Sequence, residues 1–150
     1  MLVVPFVPFH DYFPALAELE TRDIMIADEA NPWRLPPDDY GFMELFCDEP
    51  GCACRRVFFL VFTPDEPQPK ATIAYGWEKL GFYKRWLRHL GPELAKGLKG
   101  PILNEGSPQS KLAPSLLSLA EDVLLRDREY IERVKRHYRM MRKVVDGGQP

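Results

Sequence analysis

Residues 40–63, YGFMELFCDEPGCACRRVFFLVFT, restrict the fold more than any other stretch, because they join the strongest strand signal to all three cysteines. Val57, Phe58, Phe59, Leu60, Val61 and Phe62 form an unbroken β-branched and aromatic run. That is the pattern of a strand covered on both faces, hence central in its sheet. Phe42, Met43, Glu44, Leu45 and Phe46 make a shorter strand upstream. Between the two, Asp48, Glu49, Pro50 and Gly51 supply turn chemistry, with Pro-Gly suited to the middle of a type II turn. The stretch therefore reads as a β-hairpin with a thiol-rich tip at residues 47–54.

Cys47, Cys52 and Cys54 are spaced C-x4-C-x-C across a chain reversal, which lets thiolates converge. A structural zinc ion takes four N or S ligands in a tetrahedron, and a turn that already carries three lowers the entropy cost of assembly. The fourth must come from His10, His89 or His137, or from Asp48 or Glu49 as oxygen alternatives. We assign His137, in the segment KRHY of the last helix, because it would tie that helix to the hairpin. Other readings stand beside this one. Cys47 fits a small core hydrophobe, Cys52 and Cys54 fit free thiols, and two of the three could pair, although a Cys52–Cys54 disulfide would be strained. His137 equally fits a histidine at the core margin making one hydrogen bond.

A chain of 150 residues is read as one domain, 1–150, long enough to bury a core without metal. Its 45% hydrophobic and 28% charged residues are ordinary for a globular protein. The start, MLVVPFVPF, lacks a basic region and is broken by prolines, which fits neither a signal peptide nor a membrane span. An odd number of cysteines with no export signal predicts a reducing compartment, the cytoplasm. The net charge of −2 hides an asymmetry: residues 1–50 hold 11 acidic and 2 basic side chains, and the remainder 11 acidic and 18 basic. Mutual neutralisation of the halves is the simpler outcome; a basic face free for nucleic acid is the other.

Along the rest of the chain, Ala15 to Leu19 predict a short helix opened by Pro14. Asp23 to Ala27 predict an edge strand, and Trp33 anchors the turn-rich segment that follows. Pro64 to Pro69 read as a stiff link and Ala71 to Tyr75 as a further strand. In residues 78–90, Phe82, Trp86 and Leu90 lie at i, i+4 and i+8 with Tyr83 and Leu87 beside them, opposite Lys84, Arg85 and Arg88. This is an apolar stripe for packing on a sheet, within which Gly81 needs a reason such as close approach to the sheet. Residues 91–112 read as a long connection or a short helix with loops; Lys96, Lys99 and Lys111 occur there without a phosphate-loop pattern. Two helices close the chain. The first, 114–126, turns Leu116, Leu117, Ala120, Val123 and Leu124 inward. The second, capped by Asp127 and ended by Gly147 and Gly148, turns Ile131, Val134, Tyr138, Met141 and Val145 inward. The expected fold is α+β: an antiparallel sheet of three or four strands, helices packed on one face, and a C-terminal helical pair.

The segments CDEPGCACRRV, ATIAYGWEKLGFYKRWL, SPQSKLAP and YIERVKRHYR together resemble an uncharacterised family of small bacterial cytoplasmic proteins, some of whose members carry an appended zinc-chelating SEC-C motif. The likeness spans about residues 20–145. The family's hairpin tip reads closer to CxDPGCDCRRV, so Cys47, Cys52, Cys54, Arg55 and Arg56 match and Ala53 replaces an acid. No SEC-C segment occurs within these 150 residues. The resemblance implies an α+β zinc-binding fold and assigns no activity.

Three functions follow as expectations. The first is a non-enzymatic zinc-binding domain with a structural site and a binding or adaptor role, for which a protein is one candidate partner. The second is a nucleic-acid binder using Arg55, Arg56 and the basic last helix, with Tyr83, Trp86 and Tyr138 to stack bases. The third is a metal-dependent hydrolase with Glu44 or Glu49 as general base. No HExxH, GxSxG or Ser-His-Asp spacing supports the last.

Overall fold

The computed structural model describes residues 6–86, 89 and 91–147. Among them, one antiparallel sheet holds six strands: β1 (Phe6–Pro8), β2 (Arg22–Ile26), β3 (Asp38–Cys47), β4 (Arg56–Thr63), β5 (Glu66–Gly76) and β6 (Ile102–Leu103). Their order is β1-β3-β4-β5-β6, and β2 also pairs with β3. The α+β class is as expected, with more strands than three or four. The additional ones are the three-residue β1 and the two-residue β6, too short for any periodicity to register.

The apolar run does form the middle strand. Glu44 lies opposite Phe59 and Leu45 opposite Phe58 on the β3 side, and Ile73 and Ala74 face the same two residues from β5. Successive side chains alternate between faces, so Val57, Phe59 and Val61 enter one layer while Arg56, Phe58 and Leu60 enter the other. The hairpin from β4 to β5 turns on Pro64 and Asp65 alone; the prolines at 67 and 69 belong to β5, so the expected stiff link is mostly strand.

The helices are α1 (Phe9–Tyr12), α2 (Pro14–Glu20), α3 (Leu80–Trp86), α4 (Pro92–Lys99), α5 (Ala113–Asp122) and α6 (Arg128–Gly147). Pro14 occupies the first turn of α2, where its missing N–H is no loss. Leu116, Leu119 and Ala120 of α5 and Tyr130, Val134 and Met141 of α6 close over the β3–β4–β5 face that carries Phe42, Phe46 and Phe59. A 3-10 turn, Leu124–Arg126, separates these helices, and Asp127 caps α6 by accepting from the Tyr130 N–H at 3.2 Å. The chain between β2 and β3 is pinned by Trp33, whose indole N–H donates to Asp122 Oδ2 at 2.9 Å. Trp33 thus anchors its loop.

The second face of the sheet is partly covered by α4, whose Leu98 carbonyl accepts from Arg56 Nε at 2.8 Å. Helices therefore touch both faces, not one. On α3, Tyr83 is the buried residue and Trp86 is exposed, while Leu87 and Leu90 of the expected stripe and Arg88 opposite it lie outside the described residues, as do residues 1–5 and 148–150. The close approach expected of Gly81 belongs instead to Gly76: a Cβ there would fall 2.2 Å from the Tyr83 hydroxyl oxygen, and Gly81 would meet only the tip of Arg85. Segment 104–110 runs along the free side of β5. Gln109 donates from Nε2 to the Thr72 carbonyl at 2.9 Å and accepts the Thr72 N–H at 3.0 Å, and the Ser110 N–H donates to the Lys70 carbonyl at 2.9 Å. No helix among the described residues is long and apolar enough to cross a membrane.

Candidate metal centre

Cys47 is the last residue of β3, and the five residues after it reverse the chain. The Cys52 N–H donates to the Glu49 carbonyl at 3.2 Å and Gly51 has φ of 78°, so Pro50 and Gly51 form the turn that their types predict. A side chain at position 51 would be strained, which is why glycine serves there. This reversal returns Cys52 and Cys54 to the end of β3, and the three Sγ atoms lie within 4.8 Å of one another. All three thiols are free; Cys47 and Cys54 are buried and Cys52 is half-buried. A tetrahedral zinc with Zn–S of about 2.3 Å separates its sulfurs by roughly 3.8 Å, so small side-chain adjustments would suffice to close the three around an ion. The cluster could hold a metal.

Its electrostatics are uneven. A hydrogen bond from Cys54 is the main reason that the Cys47 thiol is lowered to about 6; burial opposes this, while the Glu49 N–H and the Arg142 charge assist. Cys54 is pushed up strongly, first by donating its proton to Cys47 and then by burial. Cys52 is raised chiefly by burial and by the negative charge on Cys47. Cys47 is thus the most readily deprotonated of the three thiols, and a soft cation binding the cluster would displace the remaining protons.

The tip is gripped by one face of α6. Tyr138, Arg142 and Asp146 recur at i, i+4 and i+8, so their side chains stack along the helix. Asp146 Oδ1 accepts the Gly51 N–H at 2.7 Å, and the Tyr138 hydroxyl accepts the Arg55 N–H at 3.2 Å. The Arg142 guanidinium donates to the carbonyls of Glu49 at 3.0 Å, Cys52 at 2.8 Å and Cys47. Every peptide carbonyl on which Arg142 acts belongs to the thiol turn. From α3, the Tyr83 hydroxyl donates to the Arg55 carbonyl at 2.8 Å. Reading the sequence placed Tyr138 in the core and Arg142 off the apolar stripe; their common spacing of four was the available signal that they act together.

His137 is not brought to the sulfurs. It is 1% exposed, stacked on Phe9 with ring centroids 4.0 Å apart, and both ring nitrogens are engaged: Nδ1 with Glu44 Oε1 at 2.7 Å and Nε2 with Glu20 Oε1 at 2.7 Å. Tyr130 donates its hydroxyl to Glu44 Oε2 at 2.7 Å, and Arg136 Nη2 lies 2.8 Å from each Glu20 oxygen. One residue further along α6 than His137, the helix faces the thiol turn; His137 itself faces β3 and α1. Among the described residues, no Asp, Glu or His shares the sulfur cluster, so Asp48, Glu49, His10 and His89 are not brought to it either. Of the residues considered for nucleic acid, Arg55 pairs with Glu78 at 3.2 Å and rests on Phe82, and Tyr83 and Tyr138 are buried. Comparisons with protein-family models, with curated proteins and with solved structures find no match for this chain.

Proposed function

We propose that this chain is a zinc-binding domain whose ion is held by the thiolates of Cys47, Cys52 and Cys54 and has a structural role, fixing the hairpin tip that a protein partner reads. The observation that carries the reading is the gathering of three sulfurs within 4.8 Å at one chain reversal. Thiolate ligands favour zinc or monovalent copper over harder cations, and zinc adds no redox chemistry at a buried site. A zinc ion with three thiolates carries a net charge of −1, and the guanidinium of Arg142, bonded to the carbonyl of each of two ligand cysteines, offsets it. The fourth position is taken by water or by an outside group on the half-exposed Cys52 side. Of the two carboxylates considered as general bases, Glu44 has both oxygens engaged by Tyr130 and His137, which favours a structural role over hydrolysis. The likeness of the tip to the CxDPGCDCRRV motif of the small bacterial proteins, and the reducing surroundings that free thiols need, agree with a cytoplasmic zinc protein.

Elemental analysis of the native protein with thiol titration tests this. One zinc per chain is expected, with the three thiols reacting only after chelation. In a cobalt-substituted sample, sulfur-to-metal charge-transfer bands should appear and be lost in Cys52→Ser and Cys54→Ser. Metal-free protein whose thiols titrate at once under reducing conditions would remove the basis of the reading.

A further inference from the structure

Among the described residues, the face of the sheet away from α5 and α6 is not filled. Between β4, α4 and the 102–108 segment lies a groove of about 830 Å³, floored by Phe58 and Leu60 and walled by Leu45, Leu94 and Ile102. The volume falls within the range of small-ligand sites. Arg56, 7% exposed, also lines the groove, its guanidinium carbon 5.2 Å from the Phe58 ring centroid and 6.0 Å from that of Phe6. Only its Nε has a hydrogen-bond partner among the described residues, the Leu98 carbonyl. No carboxylate among those residues pairs with it, and Glu105, which also lines the groove, forms no bond to it. Arginine remains charged and offers five N–H donors in a fixed fork. A permanently charged fork whose terminal donors are open beside an apolar groove is suited to a carboxylate, which can meet it with two parallel hydrogen bonds.

We propose that this groove binds a monocarboxylate bearing an unbranched apolar chain, with the carboxylate on the Arg56 guanidinium and the chain along Phe58 and Leu60. A chain without amides suits the walls. The Thr72 hydroxyl is engaged by the Pro108 carbonyl and the Asn104 side chain donates to Ser107 Oγ at 2.6 Å, so the polar rim is turned inward to the protein. A bound peptide would leave its own amides with few partners there.

Calorimetric titration of the full chain with octanoate, 1-octanol, octylammonium and acetate tests the assignment. Octanoate should bind one-to-one and at least tenfold more tightly than each of the others, and Arg56→Gln should weaken octanoate at least tenfold while leaving 1-octanol unchanged. Because Arg56 also holds α4, a second measurement uses the unaltered chain. A photoreactive diazirine analogue of octanoate should label peptides containing Phe58, Leu60 or Ile102, and free octanoate should compete. Equal binding of octanoate and 1-octanol would reduce the groove to an apolar cleft, and equal binding of acetate would reduce it to an anion site; either overturns the proposal. So do tighter binding of N-acetyl-trileucine, label placed elsewhere, or an Arg56→Gln protein that loses metal but keeps octanoate.

Discussion

At the scale of single residues, His137 and Asp39 show how a buried charge is met or left unmet. The imidazole of His137 lies between Glu44 and Glu20 at 2.7 Å from each, so each ring nitrogen has a carboxylate partner. Replacing it by phenylalanine keeps the stack on Phe9 but leaves Glu44 buried with Tyr130 alone. Breaking a buried charged pair by removing one partner costs about 3–5 kcal/mol, so His137→Phe should lower the unfolding free energy from urea titration by that much, while the capacity of the three thiols to take up a metal stays at its wild-type value. Loss of metal uptake together with the histidine, in protein that remains folded, would place a ligand where we place a strut. Asp39 is the opposite case. Its Oδ1 is buried without a donor, and sharing a proton with Asp23 raises its carboxyl to about 6. A raised value in the folded state means the group favours folding at low pH and withdraws that support as pH rises through 6. Asp39→Asn should therefore raise Tm at pH 8, on the order of the 2–4 °C that about 1 kcal/mol produces at this size, and do little at pH 4.

At the scale of elements, the hairpin tip and the last two turns of α6 form one unit. Arg142 binds three carbonyls of the thiol turn, the kind of outer contact whose loss weakens a metal site by roughly 10–100-fold. In Arg142→Met, a metal loaded onto the three thiols should pass to a chelator that much more readily, and hydrogen exchange of the Gly51 amide, which Asp146 holds, should speed up. Exchange unchanged from the wild type would show that the turn stands without the helix. Much of this unit was legible beforehand. Pro50-Gly51 announced the reversal, the run from Val57 to Phe62 announced the middle strand, and the cysteine spacing announced convergence, because each signal is local. The partner of the turn was not legible. Which face of α6 meets the tip depends on a register between residues about ninety positions apart, and one step along the helix exchanges His137 for Tyr138. Trp86 is exposed and Tyr83 alone is buried for a related reason: Gly76 opens a slot for the Tyr83 ring, and no pattern within α3 alone records it.

At the scale of the whole molecule, the two parts of the chain pair charges in both senses. Glu20 from the acidic part meets Arg136, and Arg22, one of the two basic residues of that part, meets Asp127 at 2.7 Å. The Glu20 carboxyl is held below its ordinary value first by its hydrogen bond with His137 and then by Arg136; that of Asp127 is held down by the Tyr130 N–H and Arg22. Depressed values act in the sense opposite to Asp39: their support is present above the usual carboxylate range and is lost as pH falls through the folded value. Unfolding followed by circular dichroism should show stability declining below about pH 4.5, and Glu20→Gln should flatten that decline. An acid limb as steep as in the wild type would mean that this cluster does not govern it.

The hydrogen bonds of Gln109 have a consequence for how these molecules behave in a crowd. An outermost strand with vacant peptide groups invites a neighbouring molecule to add its own strand, the first step toward fibrils. Here the primary amide of one glutamine imitates a backbone amide and occupies both groups of Thr72, beside a two-residue β6, while β1 and β2 are short on the far margin. The long strands are thus the inner ones, and a side chain shields the sheet where strand pairing stops.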